Sequence, residues 1–312
     1  MQTVKQKVKQ IVKKLPLISP WLKFRNNERT LLYTQQQLSL AVTGMENLAL
    51  QALASETSSE ADFNELSSNN IIVSLTSYGS RIESVHLTLL TLLKQSIKPA
   101  KVILWLAEDE FTLELLPKKL LALRQYGLEI AFCPDIRSYK KLIPALTQFP
   151  HATHVTFDDD ILYPYRQLEQ LLATHQQYPD CVICHRAHSI TRDSKGKLLP
   201  YQQWLYDSKE TEPSNTLMPV GIGGVLYPQG SLNTEVLNQH AFMKHSPQAD
   251  DLWFKAMAVK NHTLTKLVDK PMHYEDYLHI PDSQVNALWH SNKNRNNQQL
   301  KAILAAYPEI KL

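Results

Sequence analysis

The chain has 312 residues, 43% of them apolar, which is enough for one large domain, an appendage and a substantial buried core. Eight glycines and seventeen prolines exclude collagen-like and low-complexity architectures, and a formal charge of +3 is too small for nucleic acid to be the main partner. Three cysteines, Cys133, Cys181 and Cys184, do not make a disulfide framework, which fits a reducing, cytoplasmic setting. No run approaches the roughly eighteen apolar residues that span a bilayer. The basic N-terminus lacks the apolar run of a secretory signal, so any membrane contact is expected to be peripheral, on the inner face of the cytoplasmic membrane.

The first 25 residues carry seven basic side chains and no acidic one. Val4, Val8, Ile11 and Leu15 recur at helical spacing with lysines between them, until Pro16 and Pro20 end the pattern. Such a helix either lies on an anionic membrane surface or is a solvated helix on its own domain. Residues 28–54 are again helical in pattern and leave a homo-oligomer open, although the heptad is poor. Residues 55–70, SETSSEADFNELSSNN, are polar and form a linker. The expected organisation is therefore a helical appendage over 1–54, a linker over 55–70 and an α/β domain over 71–312.

Within that domain, apolar runs at Ile71–Leu75, Val102–Leu106, Leu128–Phe132, His154–Phe157 and Cys181–Cys184 predict strands. Residues 84–96, 112–126, 138–147 and 165–177 predict the helices between them. This alternation indicates a mostly parallel sheet flanked by helices, with ligands bound at the carboxyl ends of the strands.

The fourth strand ends in Asp158-Asp159-Asp160. Three adjacent carboxylates repel and need solvent or a cation. In extended backbone Asp158 and Asp160 point the same way, and two hard oxygen donors suit Mg²⁺ or Mn²⁺, with diphosphate oxygens completing the shell. An acidic loop capping the next helix explains the triplet equally well when it is taken alone. Gly221-Ile222-Gly223-Gly224 holds three of the eight glycines. It lacks the spacing of a dinucleotide-binding loop and is either a ligand-facing segment or a tight turn. Asp250 and Asp251 open a helix, where the macrodipole stabilises carboxylates whatever their function. Cys181-Val-Ile-Cys184-His185 matches a haem-attachment string, but on a buried strand the cysteines are small core residues.

The stretches SLTSYGSRI, KVILWLAEDEF, FCPDIRSYKKLIPAL, THVTFDDDILYP, CHRAHSI, GIGGVLYP and ADDLWFKAMAV together resemble a bacterial GT-A-type, family-2-like glycosyltransferase family of lipopolysaccharide and capsular polysaccharide synthesis. The similarity runs over residues 70–300 and not over the first 65. It implies a Rossmann-like GT-A sheet and transfer of a sugar from a nucleoside-diphosphate sugar to a glycan or lipid-linked glycan. It further implies that Thr76, Tyr78, Arg81, Asp135, Arg137 and Lys141 line the nucleotide site, with Arg137 or Lys141 meeting the diphosphate. Asp158 would contact ribose or metal, Asp159 the nucleotide sugar and Asp160 the metal. Gly223 and Gly224 would close over the donor sugar or present the acceptor. An acidic residue at the start of the 250 helix would serve as general base in an inverting reaction. Asp250 leads and Asp251 follows closely, and the family's usual Glu-Asp pair is replaced here by Ala-Asp-Asp. His290, or else His273, would be a third metal ligand. Two alternatives stand beside this expectation: a sugar nucleotidyltransferase, disfavoured by the single glycine in Thr76–Arg81, and a non-catalytic carbohydrate-binding protein.

Overall fold

The computed structural model describes residues 70–280 and 295–312, together with helical residues Gly44, 46–48, Leu50 and Gln51. The chain divides into two compact units, Met1–Ala52 and Leu53–Leu312. The basic stretch 1–25, the linker region up to Asn69 and His290 lie outside the described residues. Among the described residues no helix is long and apolar enough to cross a membrane.

In the second unit the apolar runs form strands β1 (Ile71–Thr76), β2 (Lys101–Ala107), β3 (Leu128–Cys133) and β4 (Thr153–Thr156). β1 and β2 are buried on both faces, which suits their near-continuous apolar sequence, as parallel strands covered by helices require. Short strands β5 (Ile161–Leu162), β6 (Val182–Cys184), β7 (Ala187–Ser189), β8 (Leu217–Pro219), β9 (Val225–Tyr227), β10 (Thr265–Leu267) and β11 (Leu278–His279) follow. The central sheet has seven strands in the order β3-β2-β1-β4-β9-β6-β10. Only β9 runs antiparallel to its neighbours. Two-stranded ribbons β5/β11 and β7/β8 lie outside it. The expected α/β architecture, a mostly parallel sheet flanked by helices, is therefore the one observed.

Strand order reverses direction at β1, which has β2 on one side and β4 on the other. The carboxyl ends of β1 and β4 therefore flank a topological switch point, where the loops diverge and leave a crevice. The helices that cover the sheet are α1 (Val85–Leu93), α2 (Lys118–Ala122), α3 (Ile143–Gln148), α4 (Gln167–Gln177), α5 (Gln239–His245), α6 (Asp250–Lys260) and α7 (Asn296–Ala306). The helix expected over 112–126 is broken at Pro117, and the one over 138–147 splits into a 3-10 turn, Arg137–Lys141, and α3.

Helix α6 is buried nearly all round, with Trp253, Phe254, Ala256 and Met257 at most 1% exposed. It is a core helix, so its position, and that of the two aspartates at its N-terminus, is fixed by packing. Tyr139 stacks on Phe242 of α5 at 4.1 Å, and its hydroxyl donates to the Ser246 carbonyl at 2.6 Å. These contacts hold the Arg137–Lys141 turn against the start of α6.

Candidate active site

A cavity of about 870 Å³ opens at the switch point, in the size range of small-molecule sites. The loop after β1 contributes Tyr78, Gly79 and Arg81, and the turn after β4 contributes Asp158, Asp159 and Asp160. Arg81 joins the two. Its guanidinium lies 2.6 Å from Asp159 Oδ1 and 3.1 Å from Asp160 Oδ2, and it sits over the Tyr78 ring at 5.4 Å. Asp159 Oδ2 also accepts from the Ser77 hydroxyl at 2.6 Å. Backbone contacts pin the same turn. Thr88 donates to the Asp159 carbonyl, Ile280 N–H to the Asp160 carbonyl, and Asp158 N–H to the Tyr163 hydroxyl.

The alternation expected along the triplet does not occur. Strand β4 ends at Thr156, and Asp159 and Asp160 form a turn. Both therefore face Arg81, while Asp158 turns toward Lys141. Asp159 lines the cavity, and both its carboxylate oxygens are engaged by protein donors that anchor the loop. Thr76 lines the cavity, but its hydroxyl donates to the Trp105 carbonyl at 2.8 Å.

Lys141 occupies the centre of a second cluster. Its Nζ lies 2.9 Å from Asp250 Oδ2, 3.2 Å from Asp251 Oδ1 and 3.4 Å from Asp158 Oδ1. Burial works against its charge, but the three carboxylates outweigh burial and hold its pKa well above the usual lysine range. Asp251 Oδ2 accepts the Gly221 N–H at 3.0 Å. Burial pushes Asp251 up to about 6 despite Lys141, and burial with the neighbouring Asp158 charge pushes Asp160 up to about 7.

Asp135 pairs with Lys140 and accepts the Arg137 N–H. Burial opposes its ionisation, but these donors hold its carboxyl below the usual range. Arg137 stands at φ +59 with its guanidinium on the Pro247 carbonyl at 3.1 Å. Both residues line the cavity. Lys141, one of the two residues expected at a diphosphate, lines the cavity and pairs here with three carboxylates.

Of the glycines, Gly221 faces the cavity. A Cβ there would stand 2.7 Å from Lys141 Nζ and 3.0 Å from Asp158 Oδ1. Gly223 and Gly224 do not line the cavity among its described residues, in contrast to their expected role. Gly223 packs on Tyr277 and Arg186, and Gly224, at φ +82, packs on the Phe157 ring. His273 caps the short 3-10 turn Tyr274–Asp276, and it is His279 that lines the cavity.

The far wall was not foreseen as a unit. It comprises Arg186, His188, Tyr201, Tyr206, Asp207 and Tyr274. Arg186 follows β6 and His188 lies in β7, while the others lie in segments with no periodic signal.

Eight carboxylates line the cavity: Glu110, Asp135, Asp158, Asp159, Asp160, Asp207, Asp250 and Asp251. Five basic groups face them: Arg81, Arg137, Lys140, Lys141 and Arg186. An anionic ligand meets an excess of negative charge unless a cation accompanies it. The oxygen donors suit Mg²⁺ or Mn²⁺, which take one or two carboxylates plus substrate phosphates. Asp158 and Asp160 have the longest ion-pair contacts of the triplet, so they are the carboxylates most readily turned to such an ion. Among the described residues no three histidine, cysteine or acidic side chains form a ready-made metal group.

No protein-family model matches the chain, and no curated protein compared with it matches. Solved structures align with it at low identity. S. aureus TarS 1-349 is 17% identical, with 76% of this chain and 71% of that one covered and a TM-score of 0.41. The same TarS fragment in complex with UDP is 15% identical, with 78% and 67% covered and a TM-score of 0.45. CMP:2-keto-3-deoxy-manno-octonic acid synthetase complexed with CTP is 13% identical, with 74% and 98% covered and a TM-score of 0.40. Scores and identities at this level transfer neither an activity nor a residue's role.

Proposed function

We propose that the chain is a glycosyltransferase of the GT-A type, moving a sugar from a nucleoside-diphosphate sugar onto a hydroxyl of a glycan or glycolipid. One observation carries the reading. The Asp158–Asp160 turn at the switch point and the Asp250/Asp251 pair at a buried helix start face the same cavity, linked by Lys141. The first supplies carboxylates suited to a diphosphate-bound cation, and the second supplies bases suited to an acceptor hydroxyl.

In this reading Asp158 and Asp160 hold Mg²⁺ or Mn²⁺, which when bound neutralises charge on the departing nucleoside diphosphate. Arg81 and Ser77 fix the turn that presents those carboxylates. The acceptor oxygen bonds to the anomeric carbon as the bond to the diphosphate breaks. In an inverting reaction the hydroxyl proton passes to a carboxylate at the start of α6. Asp251 is assigned that role because its side chain is 28% exposed, against 11% for Asp250. Its raised pKa places it nearer to the working range of a general base.

The test is nucleoside-diphosphate release from a panel of nucleotide sugars, with Mn²⁺ and with chelator, by wild type and Asp160→Ala. Metal-dependent release from one donor, reduced at least about 100-fold in the variant, is expected. Pyrophosphate release from a sugar phosphate plus a nucleoside triphosphate would replace this reading with a nucleotidyltransferase. Absence of nucleotide binding would leave a carbohydrate-binding protein.

A further inference from the structure

The wall of the cavity away from the aspartate turn has its own chemistry. Arg186 follows β6, two strands from β4, a lateral offset of roughly 10 Å at ordinary strand spacing. Its guanidinium is 2.5 Å from Asp207 and lies over the Tyr274 ring at 5.4 Å. The rings of His188 and Tyr206 meet at 4.4 Å, and Tyr201 stands 6.0 Å from His188 and 6.2 Å from Tyr206. His188 and Tyr201 are almost fully buried and back the Tyr206 ring, so the ring faces turned to the cavity are those of Tyr206 and Tyr274. Asp207 is held at φ +53, a costly backbone conformation away from glycine, and its carboxylate is aimed at Arg186. Tyr201 and Tyr206 come from the long connection between β7 and β8, tied back by a bridge between Ser189 and Leu205. Long ordered connections of this kind commonly carry binding residues.

Ring faces beside a fixed guanidinium–carboxylate pair suit one ligand class. The C–H face of a pyranose is weakly positive and packs on the negative face of an aromatic ring, while its hydroxyls both donate and accept. Arg186 supplies donors only, and Asp207 supplies acceptors only. We propose that Arg186, His188, Tyr201, Tyr206, Asp207 and Tyr274 form the subsite for the acceptor saccharide. The inference rests on the glycosyltransferase reading and deepens it. In that reading the nucleotide end lies at β1 and β4, and this wall lines the same cavity as the start of α6, so a saccharide held here can present a hydroxyl to Asp251.

The donor sugar is the other source of a pyranose, and the test separates the two. Methyl glycosides of glucose, galactose, mannose and N-acetylglucosamine are titrated into the full chain by saturation-transfer NMR, with UDP and with a nucleotide sugar that the chain binds. The expected result is millimolar binding of at least one glycoside, retained beside the bound nucleotide sugar and weakened at least tenfold in Tyr206→Ala and in Asp207→Asn. Nucleotide binding, measured on each variant, reports that the fold and donor end persist. Displacement of the glycoside by nucleotide sugar but not by UDP would assign the wall to the donor sugar and overturn the proposal. So would binding equal in wild type and both variants, or no glycoside binding by a wild-type chain that binds nucleotide. A wild-type chain that binds glycoside and no nucleotide would instead remove the transferase reading itself.

Discussion

Lys141 lies buried among carboxylates that would otherwise repel one another. Removing one partner from a buried charge cluster leaves the rest uncompensated, at a cost of about 3 kcal/mol or more. Lys141→Met is therefore expected to destabilise the chain by about 3 kcal/mol in urea unfolding at pH 8, and to shift Asp158 enough to weaken nucleotide binding. Lys141→Arg is expected not to restore binding. The planar guanidinium is bulkier than an ammonium, and Gly221 already fits against Nζ with no room for a Cβ. Unchanged stability in Lys141→Met would mean that the aspartates do not depend on this ion pair. The sequence placed a basic residue at this wall, but its role was legible only in part. A lysine that meets a ligand phosphate and one that meets three aspartates look alike until the start of α6 is brought alongside.

Among the elements, legibility followed the strength of local signals. β1 and β2 are apolar runs, and parallel strands buried on both faces have little other sequence available to them; edge strand β3 is part-exposed, and β4 is Thr-His-Val-Thr. The Asp158–Asp160 geometry failed because alternation holds only while the backbone stays extended, and β4 ends two residues before the triplet. The far wall escaped as a unit because its residues come from the turn after β6, from β7, from a long irregular connection and from a short 3-10 turn, which tertiary contacts alone bring together. The Gly221–Gly224 element shows the same division. The run of glycines was visible, but which one serves the cavity depends on neighbours remote in sequence. Gly221 is restricted by the Lys141 cluster, whereas Gly224 is restricted by its positive φ and by Phe157. Gly224→Ala meets both a disfavoured backbone conformation and a ring with no room to move, because Phe157 is packed edge-on against Tyr163. It is expected to cost about 2–3 kcal/mol of stability, detected as a fall in thermal midpoint. A shift of less than a degree would show that the 221–224 turn relaxes freely.

At the scale of the second unit, two buried lysines outside the cavity differ among the described residues: Lys266 pairs with Asp269 at 2.9 Å, whereas Lys255 has no counter-ion in contact. Lys255 is 2% exposed in the middle of α6. Its Nζ donates to the Thr265 hydroxyl at 3.1 Å, and among the described residues Cys184 is the titratable group that bears on it. Burial lowers its pKa to about 7, against about 10.4 for an unfolded lysine. Between these values the unfolded chain binds more protons than the folded one, so stability rises with pH across that window. Below pH 7 the lysine is charged in both states and the burial penalty is fully in force. Above about pH 10.4 it is neutral in both and the penalty vanishes. Lys255→Met, which keeps the length of the side chain and removes the charge, is therefore expected to stabilise the chain by on the order of 3 kcal/mol at pH 6. The gain should shrink below about 1 kcal/mol at pH 10, as measured by urea unfolding at the two pH values. A gain equal at both would trace the effect to packing alone, and a loss at pH 6 would mean that the ammonium is stabilised where it lies. Because Lys255 is one helical turn past Asp251 on the same buried helix, the experiment also asks whether α6 tolerates a stiffer core without loss of the site at its start. Nucleotide binding retained in Lys255→Met would place the stability and the chemistry of that helix at separable positions.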